Sequence, residues 1–72
     1  MEEKRFSLCG AEYIELDKLL KILRLVESGG QAHELISRGL VRRDGVAETR
    51  KRAKLRSGDT VVFLGNRITV EP

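Results

Sequence analysis

A concentrated run of cations is the part of this sequence best suited to chemistry. It holds four basic residues within five positions, Arg50, Lys51, Arg52 and Lys54, and we call residues 50–54 the basic loop. The nearby acids Asp44 and Glu48 are too few to neutralise all four charges, so the run favours an anionic partner. Arg offers paired N–H donors to a phosphate, and Lys offers a mobile point charge. The alternative interpretation is a charged loop that is simply solvated.

The cations extend beyond the basic loop into the whole segment 38–56. This segment has eight basic and two acidic residues, a net charge of +6 in a chain of net charge +3, which leaves −3 for the remaining residues. Such a division predicts one surface that attracts a polyanion on a body that repels it. The candidate surface therefore also includes the three cations that precede the loop, Arg38, Arg42 and Arg43.

Residues 28–33 are a second candidate contact. The N–H groups at a helix N-terminus can bind phosphate, and the two small glycines after Ser28 would leave them open. Gln31 could bond a sugar or a base edge, and His33 could reach a phosphate. Each feature also has a purely structural explanation. Ser28 and Gln31 fit an S-x-x-Q capping box, the glycines fit a turn, and His33 fits a solvent-facing side chain.

The sequence offers little for catalysis or for metal binding. A single Cys cannot form a disulfide within the chain, and with a single His it cannot make a zinc site. Neither a carboxylate pair nor a phosphate-cradling motif is present. We therefore predict a non-catalytic protein with no metal, no cofactor and no small-molecule substrate. Cys9 is either a reactive thiol or a small apolar filler beside an early strand, and we favour the filler.

Neither a membrane segment nor a secretory signal is apparent in the sequence. No stretch approaches the roughly 20 apolar residues of a membrane span. No sufficiently long apolar run follows residues 1–5, as it would in a secretory signal. We expect a cytoplasmic, monomeric protein with one domain over residues 1–72 and no membrane partner.

Two helices are predicted ahead of the basic segment. Leucines at positions 16, 19, 20 and 23 follow the i, i+3, i+4, i+7 spacing of an amphipathic helix over about residues 14–25. The capping pattern at Ser28 begins a second helix over about residues 29–38. Gly39 then supplies a residue that tolerates a left-handed C-terminal stop.

Strands are predicted in the rest of the chain. Residues 6–8 fit a short initial strand, and Asp44-Gly45 is a two-residue hairpin turn between strands at 40–43 and 46–48. A further turn at 57–59 leads into a strand at 60–64, and Gly65-Asn66 is interpreted as a hairpin turn into a strand at 67–70. The predicted class is α+β, with two packed helices followed by a small, mostly antiparallel sheet.

The aromatic residues narrow the kind of nucleic acid. Phe6, Tyr13 and Phe63 are the only aromatics, and none lies within the basic segment of the sequence. Proteins that bind single strands usually place stacking aromatics among their cations. The composition therefore favours recognition of folded RNA through its shape, phosphates and 2′-hydroxyls.

The order of these motifs resembles the S-four domain, the alpha-L RNA-binding motif named after a small-subunit ribosomal protein. The matching elements are Leu16-Asp17-x-x-Leu20, Ser28-x-x-Gln31-Ala32, Ile36-x-x-Gly39-x-Val41, Asp44-Gly45 and Gly58-Asp59-x-Val61. The stretch Gly45-x-x-Glu48-Thr49-Arg50-Lys51-Arg52 is similar to the short, stand-alone bacterial members. In that family the second helix and the following hairpin dock on structured RNA. The resemblance implies such roles for Ser28, Gln31, His33, Arg38, Arg42 and the basic loop.

The leading hypothesis is a protein that binds structured RNA, with ribosomal RNA as one candidate. Two alternatives stay open at this point. One is a helix-turn-helix module that places the second helix in the DNA major groove, although Glu34 on that helix would repel phosphates. The other is a basic adaptor that contacts an acidic protein.

Overall fold

The chain folds into two short helices and a five-stranded sheet, and the computed structural model describes all of residues 1–72. In chain order the elements are β1 (Glu2–Ser7), β2 (Ile14–Glu15), α1 (Leu16–Ile22), α2 (Gly29–Ser37), β3 (Val41–Arg43), β4 (Val46–Ala47), β5 (Lys54–Leu55), β6 (Thr60–Phe63) and β7 (Asn66–Glu71). The predicted α+β class, with two packed helices followed by a mostly antiparallel sheet, is confirmed. Neither helix has the length and apolarity needed to cross a membrane.

The sheet has the strand order β1-β7-β6-β3-β4. Three of its pairings are antiparallel, whereas β1 runs parallel to β7, with Glu2 opposite Asn66 and Ser7 opposite Glu71. The predicted initial strand is thus present, and it lies at the edge of the sheet. The separate pairing of β2 with β5 is antiparallel and only two residues long.

One apolar core joins the helices to one face of the sheet. Alternate residues of β6 and β7 point to this face, so that Val61, Phe63, Ile68 and Val70 are all buried. The leucines of α1 and Ile36 of α2 complete the same cluster. The opposite face of the sheet carries mostly polar and charged side chains, with Val62 as an apolar exception, as expected when an antiparallel sheet covers a core on one side only.

Helix α1 is shorter than the predicted 14–25. At its start, residues 14 and 15 are extended because they pair with β5. At its end, Arg24 adopts a φ of 58°, and its N–H bonds to the Lys21 carbonyl at 2.9 Å while the Leu25 N–H bonds to the Leu20 carbonyl at 3.0 Å. These two bonds form a Schellman motif, which stops the helix although the apolar spacing continues.

Helix α2 starts and stops as predicted, within one residue. The Ser28 hydroxyl accepts a hydrogen bond from the Gln31 N–H at 3.1 Å and so caps the N-terminus. Gly39 has a φ of 78°, and this left-handed conformation closes a second Schellman motif.

Of the two predicted hairpin turns, one lies at the predicted residues and the other is shifted by one position. Asp44 and Gly45 have φ values of 51° and 86°, so they are the predicted two-residue turn. The turn predicted at Gly65-Asn66 is wrong by one position, because Leu64 and Gly65 carry the positive φ values and Asn66 already belongs to β7. The Asn66 side chain holds the turn by donating to the carbonyl oxygens of Phe63 and Leu64.

The prediction that Cys9 is a small apolar filler beside the first strand is wrong, because Cys9 is exposed. Leu8 is the residue buried at the end of β1, and the chain then turns at Cys9, whose φ is 50°. This turn directs the cysteine away from the core and leaves it exposed.

Candidate nucleic-acid interface

The backbone of the basic loop is fixed by the start of α1. The first N–H groups of a helix lack partners within the helix, and Glu15 supplies no side-chain cap. Instead, the Leu16 N–H donates to the Ala53 carbonyl at 2.9 Å and the Asp17 N–H donates to the Lys51 carbonyl at 3.1 Å. Ala53 is itself buried in the core. The loop therefore turns its carbonyls inward and leaves the side chains of Lys51 and Arg52 exposed.

Glu48 binds the first cation of the loop. This buried carboxylate accepts hydrogen bonds from Nε and Nη2 of Arg50, both at 3.0 Å, and from the Arg50 N–H at 3.2 Å. The Arg50 side-chain bonds lower the pKa of Glu48, and they outweigh its burial, which acts in the opposite direction. The same contact raises the pKa of Arg50. Arg50 therefore anchors the loop and is partly neutralised, although most of its side chain is exposed.

Asp17 connects α2 to the basic loop. Its Oδ2 atom lies 2.8 Å from Nε2 of His33 and 3.9 Å from Nε of Arg52. Burial would raise the pKa of Asp17, but hydrogen bonds from His33 and the Lys18 N–H, together with the charges of His33 and Arg52, hold it below its usual value. His33 is therefore half-buried and engaged with a carboxylate. The structure brings His33 and Arg52 together at one oxygen atom.

Arg42 and Arg43, which were predicted to act together, point to opposite faces of the sheet. Successive residues of a strand alternate in direction, and Arg43 lies on the side of the core. There it donates to Asp59 at 2.7 Å and to the Lys54 carbonyl at 3.0 Å, and it lies 3.7 Å from Glu48. Arg43 is thus used within the fold. Arg42 lies on the outer face, exposed, with a contact to the Gly45 carbonyl at 3.4 Å.

The predicted contacts on α2 are partly occupied by helix capping. Ser28 caps the helix, and Oε1 of Gln31 accepts from the Glu27 N–H at 2.6 Å. The Gln31 amide thus reaches one residue further back than in a standard capping box. Space is open beside Gly29, where an added Cβ would meet no atom within 4 Å. Arg38 caps the other end of α2 and is exposed, 4.0 Å from Glu34.

An aromatic side chain joins the cations in space, although none does so in the sequence. The pairing of β2 with β5 carries Tyr13 to the end of the basic loop. The ring centroid lies 4.9 Å from Nζ of Lys54 and 5.7 Å from Cζ of Arg56, within the range of cation–π contacts. Tyr13 and Arg56 were not among the predicted site residues. The pairing that joins them spans distant parts of the chain and gives no local signal.

The arrangement of these motifs coincides with a known family. The family model described as the S4 domain matches residues 6–71. The chain belongs to the S4 domain family. The resemblance of the sequence motifs to the S-four domain is thereby confirmed.

Named proteins and a solved structure are also similar to this chain. The Escherichia coli (strain K12) protein named "Putative RNA-binding protein YbcJ" is 46% identical over 65 residues, which cover 90% of this chain and 93% of YbcJ. The Shigella flexneri protein YbcJ has the same identity and coverage. The solution structure of E. coli YbcJ aligns with a TM-score of 0.73 at 44% identity, covering 94% of this chain and 86% of that one. It is described as revealing an alfaL motif involved in RNA-binding.

Proposed function

We propose that this chain binds structured RNA, with ribosomal RNA among the candidates, and that it does so as a non-catalytic, monomeric single domain. The observation that carries the proposal is the basic loop. Its backbone is held by α1 while Lys51 and Arg52 project outward, and Asp17 ties it to α2 through His33. Cations on a fixed frame need little ordering on binding, so they suit an anion of defined shape.

Two further facts support RNA as that anion. The E. coli relative is named for RNA binding, and its solved structure is described in the same terms. An RNA partner would also agree with a cytoplasmic location.

The first alternative, insertion of α2 into the DNA major groove, is less well supported. Glu34 projects from α2 with 70% of its side chain exposed, and it would face the phosphates on either side of the groove. Competition between duplex DNA and folded RNA of equal length tests this choice. A preference for DNA would favour the helix-turn-helix alternative.

The test of the proposed surface is a pair of charge-matched double variants. Lys51→Ala with Arg52→Ala removes two exposed loop cations, whereas Lys21→Ala with Arg67→Ala removes two cations from the end of α1 and the outer sheet face. The binding constant of each protein for a folded RNA hairpin is measured against salt concentration. We expect the loop variant to lower the slope of log affinity against log salt by about 1.4–1.8 and the control to leave it unchanged. Equal slopes for the two variants would refute the assignment of the surface.

A further inference from the structure

Tyr13 is the aromatic residue whose position packing does not explain. Phe63 is almost fully buried, and Phe6 packs against the core, but Tyr13 is 37% exposed. Its hydroxyl makes no hydrogen bond within the chain, and two cations lie beside its ring. An exposed ring among cations is the arrangement with which proteins stack nucleobases.

The strand pairing fixes the position of this ring. Ile14 lies opposite Leu55 in the β2–β5 ribbon, so continuing that register by one residue sets Tyr13 beside Arg56. The guanidinium of Arg56 is planar and can itself stack on a base or on a ring. The pair therefore gives a surface made of one aromatic and one cationic plane.

Open space adjoins the ring. A shallow groove of about 420 Å³ is lined by Tyr13 and by residues 11, 12, 14, 15 and 18. This volume lies within the range of small-ligand clefts. The Glu15 carboxylate in the groove is engaged by Lys18 at 2.9 Å, whereas Glu12 has no ion-pair partner. A carboxylate of this kind can accept a hydrogen bond from the exocyclic amino group of a base.

We propose that Tyr13 stacks against one unpaired base of the bound RNA. The preferred ligand is then an RNA helix interrupted by an unpaired nucleotide, with the helix phosphates on the basic loop and the extruded base on Tyr13. This inference rests on the proposed function, since it names the class of RNA that the same surface binds. It modifies the expectation drawn from the sequence, in which folded RNA is recognised through its shape, phosphates and 2′-hydroxyls without a stacking aromatic residue.

The experiment compares two RNA hairpins with the same stem, one fully paired and one with a single bulged adenine. Their dissociation constants are measured for the parent protein, for Tyr13→Leu and for Tyr13→Phe. We expect the parent to prefer the bulged hairpin by about five- to 150-fold, the range of a single base–aromatic stack. Tyr13→Leu should abolish the preference without changing affinity for the paired hairpin, and Tyr13→Phe should keep it. Thermal melting checks that both variants fold.

A second readout needs no variant. With 2-aminopurine in the bulge, stacking on Tyr13 should quench its fluorescence, and with 5-iodouridine there, irradiation should crosslink the RNA to Tyr13. Equal affinity of the parent for the two hairpins, or a crosslink that maps elsewhere, would overturn the inference while leaving RNA binding by the loop intact. Absence of binding to either hairpin would instead refute the proposed function, and this inference with it.

Discussion

Two buried carboxylates decide which cations remain available to a ligand. Glu48 engages Arg50 and lies near Arg43, and Asp17 engages His33 with Arg52 at a longer distance. A cation that is hydrogen-bonded to a buried carboxylate is part of the fold, whereas one that points into solvent can exchange its counterions for phosphates. By this criterion Lys51 is available, and Arg52 is nearly so.

Neighbouring arginines of β3 allow a matched test of this distinction. Arg43→Met should lower the free energy of unfolding by about 1–3 kcal/mol, because it removes the charge-assisted hydrogen bond to Asp59 and the side-chain donor to the Lys54 carbonyl. Arg42→Met, one residue away on the outer face, should change it by no more than about 0.5 kcal/mol. Urea denaturation of both variants measures the difference. Equal losses would show that Arg43 is not part of the internal network.

At the scale of the element, the N-terminus of α2 combines a helix cap with a predicted RNA contact, and substitutions of Ser28 can distinguish the two. Ser28 caps the helix through the Gln31 N–H, and it also stands at the end predicted to face RNA. The Ser28 side chain therefore accepts a hydrogen bond from the first turn of α2 and also lies at the end where a phosphate is predicted to bind.

Replacement of Ser28 by Ala and by Asp distinguishes the two roles. Ser28→Ala should lower the free energy of unfolding by about 1 kcal/mol, because the cap is lost. Ser28→Asp retains a capping oxygen and suits the positive end of the helix, so it should preserve stability. The added negative charge should nevertheless weaken binding of an RNA hairpin. Unchanged RNA affinity in Ser28→Asp would remove the N-terminus of α2 from the interface.

Elements with local signals could be predicted from the sequence, whereas those made by distant contacts could not. The boundaries of α2 and the Asp44-Gly45 turn follow from residues within a few positions of each other. The β2–β5 ribbon depends on pairing between distant segments, and it both shortens α1 and carries Tyr13 to the cations. The basic loop was recognisable by composition. The burial of Glu48, which decides the state of Arg50, was not.

At the scale of the whole molecule, the same two carboxylates couple stability to pH. In the folded state the pKa values of Asp17 and Glu48 lie below their usual values. These two carboxylates therefore bind protons more readily in the unfolded chain than in the folded one. Their contribution is fully present above the unfolded values of about 4, and it is lost as the pH falls through the lower folded values.

The expected outcome is a free energy of unfolding that falls with acidification below about pH 4–5. Glu48→Gln should be less stable than the parent at pH 7, and it should lose less stability on acidification, since one of the two groups is gone. Glu12→Gln, at an exposed carboxyl without an ion-pair partner, is the control and should follow the parent curve. Denaturation at a series of pH values supplies the measurement. Parallel curves for the parent and Glu48→Gln would contradict this explanation.

The parallel pairing of β1 with β7 has a consequence for biosynthesis. The residues of β1 find their backbone hydrogen-bonding neighbours in residues 65–71, which are synthesised much later than β1 itself. During translation β1 therefore emerges from the ribosome with both of its edges open, and it cannot dock until β7 has also emerged. The charged side chains along β1 are suited to this interval, because charge on an unpaired strand discourages association with other nascent chains.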